Sequence, residues 1–220
     1  MAKKKVNAPG EDFTNGFALL ASQEAVAGNF EQARQAATNA LAGPQARFSD
    51  LNLALAFAFA CDSAQAQKLA NSINQKFPLD TLVQNYSLPA IRAGMQLCAN
   101  KPADAIETLR PALKYDMAYP AEFNSLYPAY LRGLAYLQMN DGRHAAAEFQ
   151  KLLDYPGIVG RDVDGALVLL QMARALKISG NDVAAGEYYE RFLNLWKGAD
   201  PDIPIYTKAK TEEARLTSLH

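Results

Sequence analysis

The stretch from residue 127 to residue 156 constrains the fold most, because it contains two apolar helical patterns separated by a turn. The turn lies at residues 140–142, and after it Ala145, Phe149 and Leu152 recur at intervals of four and three residues. Such intervals put side chains on one face of a helix. Neither helix could bury its apolar face alone, so the unit is predicted to stack against similar neighbours.

The same pattern recurs along the chain, and a small residue marks the second helix of each unit. These anchor residues are Ala33, Ala66, Ala105, Ala145 and Ala185, and the later intervals between them are slightly longer than the first. Twelve residues before each anchor, on the first helix, stand further small residues, namely Ala21, Ala54, Ala93, Gly133 and Ala173. Small residues at both places allow the two helices of a unit to pack closely. The turns between them are predicted at Gly28, Asp62, Asn100, Asn140 and Gly180.

The spacing predicts an all-α fold: a tetratricopeptide-like superhelical solenoid of about five helix pairs with a C-terminal capping helix. The predicted repeats cover residues 14–46, 47–80, 81–118, 124–158 and 163–198, and the capping helix covers residues 203–218. Residues 1–10 are predicted to be a disordered tail, and residues 11–220 a single solenoid domain.

Charge and hydropathy exclude two classes of partner. The 22 basic residues nearly balance the 23 acidic ones, so no general positive field favours nucleic acid. The most apolar run, residues 51–61, is shorter than the roughly 20 residues of a membrane-spanning helix. The start of the chain has three lysines but no apolar run of a secretory signal, which favours a cytoplasmic location.

The sequence gives no sign of a catalytic or metal site, so we expect no enzymatic activity, no cofactor and no metal. It contains no GxSxG, HExxH, GxxxxGK[ST] or GxGxxG motif. Of the two histidines, His144 falls in a polar turn, where we expect it to be exposed. Cys61 and Cys98 are too few for a zinc site, and we interpret them as buried free thiols, with a disulfide as the alternative.

Two arginines interrupt first helices that are otherwise nearly free of charge. Arg92 and Arg132 each stand one residue before the small contact residue of their repeat. Because an unpaired buried guanidinium is costly, we expect internal ion pairs with carboxylates of the second helices. The candidate carboxylates are Asp104, Glu107 and Glu148.

A candidate partner-binding site lies on the first helices of the last two repeats. Arg174 and Lys177 fall at positions expected to face a concave groove, and Tyr127 and Tyr130 fall on the same side. Arginine and aromatic residues often anchor interfaces, and arginine suits the carboxylates of an acidic segment. The alternative is that both tyrosines pack between repeats.

From about residue 77 onward, the segments FPLDTLVQNYSLPAIRAG, NSLYPAYLRGLAYL, AAAEFQKLLDYPGIV and NLWKGADPDIPI resemble the C-terminal repeats attached to acidobacterial-type serine/threonine protein kinases. The resemblance implies an interaction or sensing region of a bacterial signalling protein. It also implies an extracytoplasmic location if the chain is a fragment of a membrane-anchored kinase. The kinase portion itself is missing, so phosphotransfer is not implied.

These observations together predict a non-catalytic protein–protein interaction scaffold whose groove binds a protein or peptide, with an acidic segment favoured. The alternative function is a sensor that binds a small anionic ligand in the same groove. A groove lined by Arg and Tyr would suit either ligand.

Overall fold

The computed structural model describes residues 10–118, 126–159 and 163–217, and all regular structure in these ranges is helical, which confirms the all-α class. The α-helices are α1 (Glu11–Val26), α2 (Phe30–Leu41), α3 (Arg47–Phe59), α4 (Ser63–Lys76), α5 (Leu88–Cys98), α6 (Pro102–Leu109), α7 (Tyr127–Gln138), α8 (Gly142–Asp154), α9 (Pro156–Val159), α10 (Val163–Ile178), α11 (Asp182–Leu195) and α12 (Pro204–Thr217). A π-helical turn, Val83–Ser87, precedes α5, and a 3-10 segment, Arg110–Tyr115, follows α6. No helix within the described ranges is both long and apolar enough to cross a bilayer. Most of the predicted tail, residues 1–9, lies outside the described residues.

The helices pack as five pairs in chain order: α1/α2, α3/α4, α5/α6, α7/α8 and α10/α11. The first helix of each pair also packs on the first helix of the next, and α12 packs on α11. Helix α1 approaches α10, so the two ends of the row come near each other. At this junction a Cβ atom on Gly28 would lie 3.6 Å from Cβ of Pro204.

The burial of the small residues confirms the predicted packing faces. All five anchor alanines are buried, and so are the five small residues on the first helices. At Gly133 the reason for the small residue is direct, because a Cβ atom there would collide with the ring of Phe149. The predicted spacing of twelve residues therefore identifies where the two helices of each pair meet.

The turns inside the pairs use the left-handed backbone conformation, which glycine and asparagine adopt most readily. Positive φ values occur at Gly28 (83°), Cys61 (61°), Asn100 (55°), Asn140 (58°) and Gly180 (77°). Four of these are predicted turn residues. In the second pair Cys61 takes the left-handed position, and the predicted Asp62 instead caps α4 by accepting a hydrogen bond from the backbone N–H of Gln65 at 3.1 Å.

The buried apolar residues form two clusters that meet at α7. One cluster extends from α1 to α7, and the other from α7 to α12. Tyr127 belongs to the first cluster and Tyr130 to the second, and the two ring centroids lie 6.2 Å apart where the clusters adjoin. This helix therefore links the packing of the first three pairs to that of the last two.

The contact between α7 and α8 can be tested by overpacking. Ala145 is fully buried where the two helices meet, whereas Ala147, two residues further along α8, is exposed. We expect Ala145→Leu to lower the free energy of unfolding by roughly 1 to 3 kcal/mol, because a core without free space must shift to accept the added methylenes. Ala147→Leu is the control and should change the melting temperature far less. Equal shifts in the two thermal melts would mean that the packing face is assigned incorrectly.

Candidate functional site

A central cavity of about 690 Å³ lies among the first helices and is the best candidate for a binding site. Its lining residues come from α2, α3, α5, α7, α10, α11 and α12, and therefore from every helix pair. This participation follows from the packing order, since the first helices stand side by side and share one face. The cavity has an apolar wall and a polar wall.

The apolar wall is built by α3, α5 and α7. It contains Phe59, Leu97, Leu134 and Leu137, together with the disulfide bond that joins Cys61 to Cys98. The expectation of free buried thiols is therefore wrong, and the disulfide alternative is the one observed. The two Cα atoms lie 5.5 Å apart because α3 and α5 are neighbours and both cysteines fall where these helices end. Cys61 is exposed rather than buried.

The polar wall is a hydrogen-bonded network centred on Arg174 of α10. Nε and Nη2 of Arg174 donate to the two carboxylate oxygens of Glu212 on α12, at 2.8 and 3.1 Å. Nη1 of Arg174 donates to Oε1 of Gln171 at 3.1 Å. The hydroxyl of Tyr189 donates to the same Glu212 carboxylate at 3.1 Å. The guanidinium of Arg174, which is predicted to contact a partner, is therefore already hydrogen-bonded through all three of its nitrogen atoms.

The tyrosine in this network stays protonated. Burial raises the pKa of the Tyr189 hydroxyl above its ordinary value, and the negative charge of Glu212 raises it further. A protonated hydroxyl can donate to the carboxylate, which fixes Glu212 against Arg174. Glu212 is therefore held by two donors from two different helices.

The other cations of the polar wall are less constrained. Nζ of Lys177 donates to Asp182 at 2.9 Å, and 39% of the Lys177 side chain is exposed. Lys208 of α12 is exposed and makes no ion pair within the described ranges. Three cationic side chains and a single carboxylate line the cavity. Because Lys177 is paired with Asp182, the excess positive charge comes mainly from Lys208, and it favours an anionic group.

The structure brings together only two of the four predicted site residues. Arg174 and Lys177 line the cavity, whereas Tyr127 and Tyr130 are 3% and 1% exposed and belong to the apolar core. The hydroxyl of Tyr130 accepts a hydrogen bond from Nε2 of Gln171 at 3.4 Å, and its ring lies 5.9 Å from that of Phe149. We therefore correct the assignment of these tyrosines to the contact surface, and the alternative that they pack between helices fits the structure.

The two first-helix arginines have different environments. Arg132 is 3% exposed and donates to Asp116 at 2.6 and 3.1 Å and to Glu148 at 2.9 Å. The predicted pairing with Glu148 is confirmed, and Asp116 is an additional partner. Arg92 is only half-buried and makes no ion pair in the described part of the chain, so the expected internal pair of Arg92 is wrong.

His144 and Asp141 form a titratable pair outside the cavity. No group of three or more His, Cys, Asp or Glu side chains in the described ranges is arranged to hold a metal ion. The side chain of His144 is 62% exposed, and its Nδ1 lies 2.6 Å from the carboxylate of Asp141. The same Asp141 caps α8 by accepting from the backbone N–H of His144, and this hydrogen bond lowers the pKa of Asp141.

Comparisons with protein families, with curated proteins and with solved structures find no match to this chain.

Proposed function

We propose that this protein is a tetratricopeptide-like superhelical solenoid that acts as a non-catalytic scaffold and binds an acidic segment of a partner protein in the central cavity. The packing of five helix pairs in chain order supports the solenoid architecture. The observation that carries the binding proposal is the lining of the cavity, where an apolar wall faces a wall with an excess of cations.

Both walls suit a peptide with acidic and apolar side chains. Burial of apolar side chains against Phe59, Leu97 and Leu137 supplies most of the favourable free energy, at roughly 25 cal/mol per Å². Lys177 and Lys208 then attract the carboxylates and fix the orientation of the segment. Charge complementarity of this kind contributes more to specificity and association rate than to affinity.

The volume of the cavity favours a second candidate function, the sensing of a small anionic ligand. A cavity of about 690 Å³ lies within the usual range of small-molecule sites, roughly 300 to 1,000 Å³. The two candidates predict different results in a thermal-shift screen. A small ligand with a carboxylate or phosphate group would raise the melting temperature by itself, whereas the scaffold function requires a polypeptide.

The resemblance to kinase-attached repeats and the disulfide together suggest a cellular context. We propose that the chain is the sensing or interaction region of a bacterial signalling protein. Disulfides persist in oxidising compartments and are rare in the cytosol. The bond between Cys61 and Cys98 therefore favours the extracytoplasmic alternative over a cytoplasmic location.

The binding proposal can be tested by neutralising the exposed cations of the cavity. The variant Lys177→Gln/Lys208→Gln should bind a fluorescein-labelled peptide of alternating Glu and Leu residues about tenfold more weakly than wild type, if each exposed charge contributes about 0.7 kcal/mol. Its melting temperature should change little, because Lys208 is exposed and the partly exposed pair of Lys177 with Asp182 contributes little to stability. Fluorescence anisotropy measures the affinity, and the same peptide with Gln in place of Glu shows whether the carboxylates matter.

The matched control is Lys68→Gln/Lys197→Gln, which removes two exposed lysines that do not line the cavity. It should bind the peptide as wild type does, and an equal loss in both variants would mean that net charge rather than the cavity is responsible. Arg174 is not used in this test. Its side chain is 19% exposed and bidentate to Glu212, so reversing its charge would also destabilise the fold.

A further inference from the structure

The third and fourth helix pairs carry the same arginine in two different environments. Arg92 and Arg132 are separated by the same interval as the anchors Ala105 and Ala145 of their repeats. The two arginines therefore occupy equivalent positions on α5 and α7. Comparing what surrounds them shows what the third pair lacks.

In the fourth pair the guanidinium is neutralised by Asp116 and Glu148. The positions one such interval earlier in the chain hold Lys76 and Thr108 instead, so neither carboxylate has a counterpart in the third pair. Lys76 pairs elsewhere, with Asp50 at 2.7 Å. Arg92 therefore occupies the position at which Arg132 forms its internal ion pairs, but within the described ranges it has no acidic partner there.

The side chain of Arg92 lines an open pocket of about 580 Å³ between α4 and α5, here called the outer pocket. Lys101, which is exposed and makes no ion pair within the described ranges, supplies a second cation, and no carboxylate lines the pocket. The outer pocket is separate from the central cavity, because α5 contributes Gly94 and Leu97 to the cavity but Met95 and Gln96 to the outer pocket. Two cations without a counter-charge are complementary to a carboxylate.

A further polar atom at this pocket favours a ligand that carries a hydrogen-bond donor beside its carboxylate. The side-chain oxygen Oε1 of Gln96 is buried and has no hydrogen-bond partner. A buried acceptor without a partner is unfavourable and is stabilised by a donor. The backbone N–H of a peptide can supply that donor, whereas an ionised carboxylate cannot. Met95 adds an apolar surface for a neighbouring side chain.

We propose that the outer pocket is a second binding site, which takes an acidic polypeptide segment whose carboxylate pairs with Arg92 and Lys101. The partner's carboxylate takes the place that Asp116 and Glu148 occupy beside Arg132 in the fourth pair. The site does not depend on the central cavity, so a partner can bind to either site or to both.

The test uses the Lys177→Gln/Lys208→Gln background, in which the cavity contributes little, and the labelled peptide of alternating Glu and Leu residues. Arg92→Gln should weaken the remaining binding about tenfold, as expected for a charged contact at an interface. Thr108→Glu should weaken it by a similar factor, because it restores on α6 the carboxylate that Glu148 supplies in the next pair. Thr108→Glu should also raise the melting temperature, a change that simple repulsion of the peptide would not produce.

The control Ala103→Glu adds the same charge at an exposed position of α6 and should leave the affinity unchanged. Unchanged affinity in Arg92→Gln, or equal losses in Thr108→Glu and Ala103→Glu, would overturn the proposal. Inorganic phosphate that competes with the peptide at equal concentration would also overturn it, because the site would then bind simple anions. Complete loss of measurable binding in Lys177→Gln/Lys208→Gln, rather than the tenfold weakening expected from the cavity, would contradict the outer pocket.

Discussion

Replacing Cys61 and Cys98 by serine is expected to lower the free energy of unfolding by about 4 kcal/mol. The bond closes a loop with a sequence separation of 37 residues, and the chain-entropy estimate for loops of roughly 15 to 100 residues runs from about 3 to 4.7 kcal/mol. The mechanism is a restriction of the unfolded chain, so the native contacts of α3 and α5 need not change. Urea titration of the variant and of wild type measures the difference.

Reduction of wild type with a thiol reagent provides the control for this prediction. It should produce the same loss, and the serine variant should be insensitive to the reagent. Serine is a suitable replacement at residue 61, whose φ of 61° it can adopt about as well as cysteine, so backbone strain does not contribute. If the urea midpoint shifts neither in the serine variant nor on reduction of wild type, the disulfide bond adds no stability. A loss in the serine variant without a loss on reduction would point to packing of the sulfur atoms instead.

The sequence predicts the local features of this fold well. The anchors, their small partners on the first helices and most of the turn residues follow from spacing, because a helix buries the same face in every pair. Spacing also accounts for the location of both cysteines near the ends of neighbouring first helices. It does not predict their oxidation, because unpaired cysteine is often buried and spacing does not report the distance between two sulfur atoms.

The candidate site is harder to predict because its contacts are long-range. Arg174 and Glu212 lie far apart in sequence, on α10 and the C-terminal helix, and no periodic pattern relates them. The pairing of Asp116 is equally difficult to predict, because this residue follows the 3-10 segment after α6, where the repeat pattern is interrupted. Spacing wrongly assigns the tyrosines of α7 to an exposed face. Helix α7 packs against both apolar clusters, so the side expected to be exposed is buried as well. To predict that Lys208 and Glu212 line the cavity, one would need to know which helices the capping helix packs against.

Arg132→Met is expected to lower the free energy of unfolding by about 3 kcal/mol, near the lower end of the range for breaking a buried ion pair. Burial alone would lower the pKa of Arg132, but its hydrogen bonds to Asp116 and Glu148 outweigh burial and raise the pKa above the ordinary value. The guanidinium therefore stays charged at every accessible pH, and its removal leaves two carboxylates that are each 13% exposed. Glu148 keeps Lys151 at 2.8 Å, so the cost falls mainly on Asp116. The double variant Arg132→Met/Asp116→Asn should recover part of the loss, because the buried charge is then removed as well.

Arg92→Met is the matched control, since it makes the same change at the equivalent position of α5. Its cost should stay within about 0.5 kcal/mol, because Arg92 is half-buried and makes no ion pair in the described part of the chain. Thermal and urea unfolding of both variants measure the difference. If the two substitutions cost the same, Arg92 has an internal partner equivalent to that of Arg132, and the outer pocket has no free guanidinium to offer. If only Arg132→Met is costly, Arg92 has no internal counter-charge, and its guanidinium is available to an external carboxylate.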